Sequence, residues 1–250
     1  MMIDTPPSPL TVTPAGTHAF LRDVTRTRPG HGNADLPWLR TVAHRVQETP
    51  GTFLSWLEDI LGDEEAVRSA AKRSYWHPNG FAKMVLHASA DLRIRLHVWP
   101  ESSEPSRGES NPHSHRWEFA STIVAGEGLH MVEFRETTEG GKPYDRYRYG
   151  ADPANPAALL ADGQARLAVE KTPHVRLGEV YSCDTGIVHT VRPIEAGLTA
   201  TVVIQGPHRT STTVVYCEPG QTDDQPNGEL TETDFRVLVG AVANAVASCR

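Results

Sequence analysis

Two histidines stand two residues apart in the stretch from Asn111 to Ser121, NPHSHRWEFAS, with a glutamate three beyond. On a strand, side chains at i and i+2 project to the same face, so His113 and His115 would aim two imidazoles at one point. A second stretch, LGEVYSCDTGIVHTV, sets Gly178, Asp184, Gly186 and His189 in order. Gly178 and Gly186 bracket a strand and a tight turn, and His189 enters the next strand. A third imidazole from a different strand closes a facial set of donors for one metal ion.

Glu118 is the alternative ligand. Strand parity places His113, His115, Trp117, Phe119 and Ser121 on one face and Glu118 on the other. Glu118 joins the site only through a bulge, so three histidines are the first choice and Glu118 the second. An outward Glu118 is expected to pair with a neighbour such as Arg116 or Arg135. Three neutral imidazoles leave a divalent ion its full positive charge, which favours anionic ligands such as thiolates, carboxylates or hydroxamates. Imidazole suits several metals. The residues alone do not name the metal: Fe(II) with three open positions can hold a bidentate substrate beside O2, and Zn(II), Ni(II) and Mn(II) are alternatives.

Such a site needs a rigid frame. The chain has 250 residues, 38% hydrophobic and 22% charged, an ordinary composition for a globular protein. A net charge of −7 argues against a nucleic-acid partner. No long apolar run suits a membrane, the N-terminus does not read as a secretory signal, and three widely spaced cysteines fit a reducing compartment. A cytoplasmic location is the expectation.

Residues 1–34, rich in Pro, Thr and Gly, read as a flexible or loosely docked arm. Three short helices are predicted over 35–75. Asp35 caps the first, with Leu36, Leu39, Val42 and Val46 as its stripe; Thr52 caps the second and Gly62 stops it; the third, DEEAVRSAAKR, has charges that suit the helix dipole. From 76 to 218 the texture changes to short period-two segments separated by turn residues, the mark of an all-β sandwich or barrel. HSHRWEFASTIVAG reads as one such strand. Residues 219–229 read as an exposed loop. A last helix carries Phe235, Leu238, Val239, Val242 and Val246 at helical spacing, to pack on the domain or to serve a homodimer.

The two histidine stretches resemble the paired motifs of the cupin superfamily. The second motif of that family, G, five residues, P-x-G, two residues, H, is matched from Gly178 to His189, with Asp184 where Pro is usual. The first is matched at His113, His115 and Gly126, with Gly108 one residue off; counting back from Gly126, the family's glutamate falls on Phe119. The resemblance covers about residues 70 to 215. It implies a single-domain jelly-roll β-barrel, here with helices before it and one closing it.

Within the superfamily the layout NGFAKMVLHAS, LRIRLHVWPESS, HSH, GEG is similar to cysteine dioxygenase and its thiol dioxygenase relatives, by order and spacing more than identity. That branch also uses a three-histidine iron. It holds the substrate carboxylate with an Arg on the strand before the tryptophan-ended strand, where this chain has Lys83. Its outer Ser-His-Tyr set corresponds here to Thr201, Val203 and Gln205, and its Cys–Tyr cross-link is impossible at Phe119. The resemblance thus implies a related oxygenase with another substrate.

The remaining residues carry two readings each. Lys83 is an anion anchor or a solvated lysine. Arg93 and Arg95 share a face, lining the barrel as substrate contacts or lying outside it. Tyr181 donates a hydrogen bond to a metal-bound ligand or packs in the core. Trp117, Phe119 and Gln205 line the substrate space or fill the core. Three functions compete: an Fe(II) oxygenase taking a small polar substrate, amino-acid-like or thiol, with O2; a Zn(II) or other metal enzyme without oxygen chemistry; and a small-molecule-binding cupin without turnover.

Overall fold

The fold is that of a computed structural model, which describes residues 18–27, 35–78, 80–101, 109–150, 159–222 and 227–249, the first two of β4 by backbone alone. Most of the arm read at 1–34 lies outside these residues, and so does Gly108. The part inside is not loose. It forms α1 (Ala19–Arg26), whose Phe20, Leu21 and Val24 are buried. Phe20 stacks on Trp56, 5.1 Å between ring centroids. Only a short apolar stripe marked this helix, too brief to register against the surrounding Pro and Gly.

Three helices follow. Asp35 caps α2 (Leu36–Glu48), and Trp38, Leu39, Val42, Ala43 and Val46 form its buried face. The next helix, α3 (Pro50–Gly62), begins earlier than expected. Its cap residue is Thr49, not Thr52, with Pro50 in the first turn. Proline suits that place because its missing N–H would be unpaired there anyway, and the Thr49 hydroxyl is spent on the Arg45 carbonyl at 2.8 Å. Asp63 caps α4 (Glu64–Ala71) by accepting from Glu65 and Ala66 N–H.

Strands run in order as β1 (Tyr75–His77), β2 (Phe81–Ala88), β3 (Arg93–Trp99), β4 (Glu109–His113), β5 (Trp117–Ala125), β6 (Gly128–Glu136) and β7 (Lys142–Tyr149). They continue as β8 (Leu160–Lys171), β9 (His174–Arg176), β10 (Val180–Cys183), β11 (Val188–Pro193), β12 (Thr199–His208), β13 (Thr213–Cys217) and β14 (Gly228–Glu229). All named strand pairings are antiparallel, in two seven-stranded sheets. The first has the order β10-β5-β12-β3-β2-β1-β14 and the second β11-β4-β13-β7-β8-β6-β9. The two facing antiparallel sheets, with helices before them and one closing them, form the jelly-roll architecture that was expected. The short strands β1 and β14 were not expected. The segment read as an exposed loop at 219–229 ends in β14, which pairs with β1; both are too short to show a period.

Helices cover one face of the first sheet. Ala82, Met84, Leu86, Ile94, Leu96, Val98, Ala120, Ala200, Val202 and Ile204 join the helix residues in one core. The closing helix, α5 (Glu232–Ser248), adds Phe235, Leu238, Val239, Val242 and Val246, the stripe read from its sequence. A Thr231–Asp234 capping box starts it. In α2, Gln47 ties the layer down by donating from Nε2 to Thr122 Oγ1 and the Ile123 carbonyl at 2.6 and 2.8 Å. In the second sheet β6 also pairs with β11, so that sheet curls into a ring. Tyr144, Leu167, Val188 and Tyr216 fill it. The opposite faces of the two sheets enclose the barrel interior.

Candidate metal centre

Three imidazoles converge between the sheets. The ligating nitrogens of His113, His115 and His189 all lie within 4.8 Å of one another, and this is the one such group of three or more among the described residues. Ring centroids are 4.8, 5.2 and 5.1 Å apart for 113–115, 113–189 and 115–189.

The way the first pair converges differs from the sequence reading. HSHRWEFASTIVAG is not one strand. β4 ends at His113 and belongs to the second sheet, while β5 starts at Trp117 and belongs to the first. His115 sits in the corner between them, and the corner is clamped on both sides. Ser114 N–H donates to the Val214 carbonyl at 3.0 Å, and Ser114 Oγ accepts from Val214 N–H at 3.2 Å. The Arg116 carbonyl accepts from Arg209 and Thr210 N–H at 2.7 and 3.2 Å. A sheet-switching corner, rather than strand parity, therefore brings the two rings together. His189 arrives in register, directly opposite His113 across β11 and β4.

Two glycines hold the frame. Gly126 has φ +82°, and a Cβ there would stand 2.6 Å from the Leu198 carbonyl oxygen. Gly178 has φ +81°. Asp184 closes the turn before β11, its Oδ1 accepting from Gly186 N–H at 2.7 Å.

The donor set fits a divalent transition metal. His113 Nδ1 stands 2.9 Å from the Asn111 carbonyl oxygen. As donor there it leaves Nε2 as the nitrogen that could ligate a metal. His189 is 2% exposed, with Nδ1 3.3 Å from Cys183 Sγ. Its Nε2 lies 3.1 Å from His115 Nε2. Two nitrogens bound to one ion at about 2.0–2.1 Å stand roughly 3.0 Å apart at a right angle and roughly 3.4 Å apart at the tetrahedral angle. With both Nε2 atoms unprotonated, the observed separation is one that a shared cation would bridge.

Glu118 does not join this group. It points away from the barrel, where its Oε2 accepts from Arg209 Nε and Nη2, each at 3.1 Å. Its partner is thus Arg209, not Arg116 or Arg135: the end of β12 lies beside the start of β5, a neighbour that local sequence does not reveal.

The inner face of the first sheet looks onto the histidines in cross-strand rows. One row runs Cys183, Phe119, Gln205, Arg93. The next runs Tyr181, Ser121, Val203, Arg95. A third, deeper row runs Ile123, Thr201, His97, Lys83. Phe119 packs edge-on against His115 and His189 at 5.0 and 6.0 Å, and Tyr181 packs against Phe119 at 5.9 Å. Arg93 and Arg95 thus lie on the barrel-lining face, the first of their two readings. Arg95 is 5% exposed, and its guanidinium carbon stands 5.3 Å from the Trp117 ring centre. Trp117 sits 5.6 Å from the His115 ring and stacks on His208 at 5.3 Å.

Lys83 shares the inner face but not the neighbourhood, since it lies in the third row and Phe119 in the first. Its Nζ lies over Phe81 at 5.2 Å. Cys183, Ser121 and Thr201 were not singled out as site residues. The signal was there in parity, since Cys183 shares a face with Tyr181, Ser121 with Phe119, and Thr201 with Gln205.

No family model matches the sequence, and no curated protein does. Among solved structures, an RmlC-like cupin from Shewanella frigidimarina is 13% identical over 54% of this chain and 84% of its own, with a TM-score of 0.32. A conserved protein with a double-stranded β-helix domain from Klebsiella pneumoniae is 12% identical over 60% and 95%, with a TM-score of 0.32. Hydroxypropylphosphonic acid epoxidase from S. wedmorenis is 10% identical over 53% of each chain, with a TM-score of 0.31. Overlaps of this size carry nothing about chemistry, and the reading of the site stands on its own residues. No helix among the described residues is long and apolar enough to cross a membrane.

Proposed function

We propose that this protein is a non-haem Fe(II) oxygenase that joins O2 to a small anionic substrate, amino-acid-like or thiol. The observation that supports it is a pairing: three convergent imidazoles, and opposite them an inner sheet face bearing Arg93 and Arg95. Held by three neutral ligands, Fe(II) would supply redox reactivity toward O2 and an undiminished positive charge for an anionic group.

The chain's own residues do the rest. Arg95, braced by Trp117, binds a substrate carboxylate close to the histidines. Arg93 adds charge in the row that faces them. Phe119 and Val203, both 5% exposed, wall the space and keep water out. Tyr181, beside Phe119, directs its hydroxyl toward bound substrate as a hydrogen-bond donor. Lys83 belongs to the deep end and takes no part in binding the reacting group.

The same donors suit Zn(II) acting as a Lewis acid without O2. The 3.1 Å between the two Nε2 atoms falls between the right-angle and tetrahedral expectations and so favours neither metal. An oxygen electrode separates the two. Protein loaded anaerobically with Fe(II) is screened against small carboxylates, thiols and amino acids. Substrate-dependent O2 uptake, with KM raised at least tenfold in Arg95→Ala, is the expected result. No uptake with iron-loaded protein, alongside tight retention of zinc, would hand the lead to the non-oxidative reading.

A further inference from the structure

Away from the metal centre, the second sheet carries a row of three nitrogen-bearing side chains. Arg192 pairs with His130 across β11 and β6, and His130 pairs with His174 across β6 and β9. Their chain neighbours Leu129, Met131, Val175 and Val191 belong to the cluster inside the barrel, so alternation turns the row away from the barrel. Arg192 and His174 are exposed and His130 is half-buried. The two imidazoles meet edge to face, 4.7 Å between ring centroids.

Left to itself the row is unfavourable. Like charges directly opposite one another across strands repel. Burial, Arg192 and His174 all hold the His130 pKa below its ordinary value, and no carboxylate among the described residues offsets them. Arg192 makes no ion pair among the described residues, although the chain carries 31 acidic residues against 24 Lys and Arg.

The chemistry of the row separates an anion from a metal ion. His130 Nδ1 is buried without a partner among the described residues. As for backbone groups, an orphaned N–H is a rarer defect than an unanswered acceptor, so the neutral ring keeps its proton on Nε2 and offers it as a donor. A metal ion needs Nε2 bare and would sit beside a guanidinium; an anion meets neither obstacle. Arg192 offers a planar fork, and each imidazole one N–H, from strands about 4.8 Å apart. The two oxygens of a carboxylate are satisfied by the fork alone. A group with three or more oxygens takes the fork and both imidazoles.

We propose that this row is a binding site for a phosphate group, with Arg192 as anchor and His130 and His174 as donors. Such a ligand ties β11 to β6 and β9, and β11 is the strand that carries His189. The site is separate from the three-histidine centre and does not depend on the oxygenase reading.

Titration calorimetry on the full chain tests it with inorganic phosphate, glycerol 3-phosphate and acetate at one ionic strength, for wild type, Arg192→Gln and His174→Ala. Long-range proton–nitrogen NMR spectra of the imidazoles report which rings meet the ligand. Wild type should bind at least one of the two phosphate ligands saturably, with shifts at the His130 and His174 ring nitrogens. Affinity should fall about tenfold or more in Arg192→Gln. His174→Ala, a change at an exposed side chain, should also weaken binding and keeps the test open should the first variant fold poorly. Tighter binding of glycerol 3-phosphate supports a phosphorylated small molecule as the ligand, and tighter binding of inorganic phosphate supports the free ion. No saturable binding of either, unchanged affinity in both variants, acetate bound as tightly as phosphate, or shifts confined to His113, His115 and His189 would overturn the proposal.

Discussion

The first sheet has two faces made from the same strands, and they differ in kind. Toward the helices β2 shows Ala82, Met84 and Leu86, β3 shows Ile94, Leu96 and Val98, and β12 shows Ala200, Val202 and Ile204. Toward the barrel the same strands show Lys83, Arg93, Arg95, His97, Thr201 and Gln205 interleaved with Phe81, Trp99 and Val203. Both faces are covered, so burial alone does not account for the contrast. A sheet buried for stability on both sides would carry aliphatic side chains on both, because buried charges and unpaired polar groups cost free energy. The helix-facing side is apolar throughout; the barrel-facing side mixes a core cluster with buried polar and charged groups and gives up stability to hold them.

The largest effects should come from breaking that division. Val202 and Val203 are adjacent, and they face opposite ways. Val202→Asp puts a charge among helix side chains and should cost roughly 4 kcal/mol or more. Val203→Asp lies in the row of Arg95 and should cost less than about half of that, read as the two urea midpoints. Next come Leu96→Ala and Arg95→Ala, neighbours on β3. The first should lose roughly 2–5 kcal/mol of stability with metal content per folded molecule unchanged. The second should keep most of its stability and lose roughly 10- to 100-fold in affinity for anionic ligands. Cys183→Ala removes the group beside His189 Nδ1. It should weaken metal affinity by about tenfold with little change in melting temperature. Smallest of all is Glu118→Ala. Its ion pair with Arg209 is about a quarter exposed and should be worth less than about 1 kcal/mol, with metal binding unaltered.

The sequence carried some of this well and some not at all. Alternation on β5 was enough to turn Glu118 outward, because period two leaves no freedom once Phe119 faces in. The stripe of α5 was legible for the same reason, a repeat long enough to stand above noise, and the cap of α2 because Asp35 directly precedes a proline-started apolar stripe. The corner at Ser114 to Arg116 was not. Its residues suit a strand, and what breaks the strand is the grip of β13 and the end of β12, contacts about a hundred residues away in sequence. Arg93 and Arg95 shared a face on any reading, yet which face they shared depended on where the helices lay. Helix α1 was hidden by its Pro- and Gly-rich surroundings, and its docking on Trp56 is a tertiary fact.

The central claim is that three histidines, without a carboxylate, hold a redox-active metal. Metal content and the EPR spectrum with nitric oxide, taken anaerobically on wild type, His113→Ala, His189→Ala and Glu118→Ala, test it most directly. Iron with a nitrosyl signal in wild type and Glu118→Ala, and loss of both in the two histidine variants, is the result expected. Iron lost in Glu118→Ala, or retained in full by either histidine variant, would contradict it.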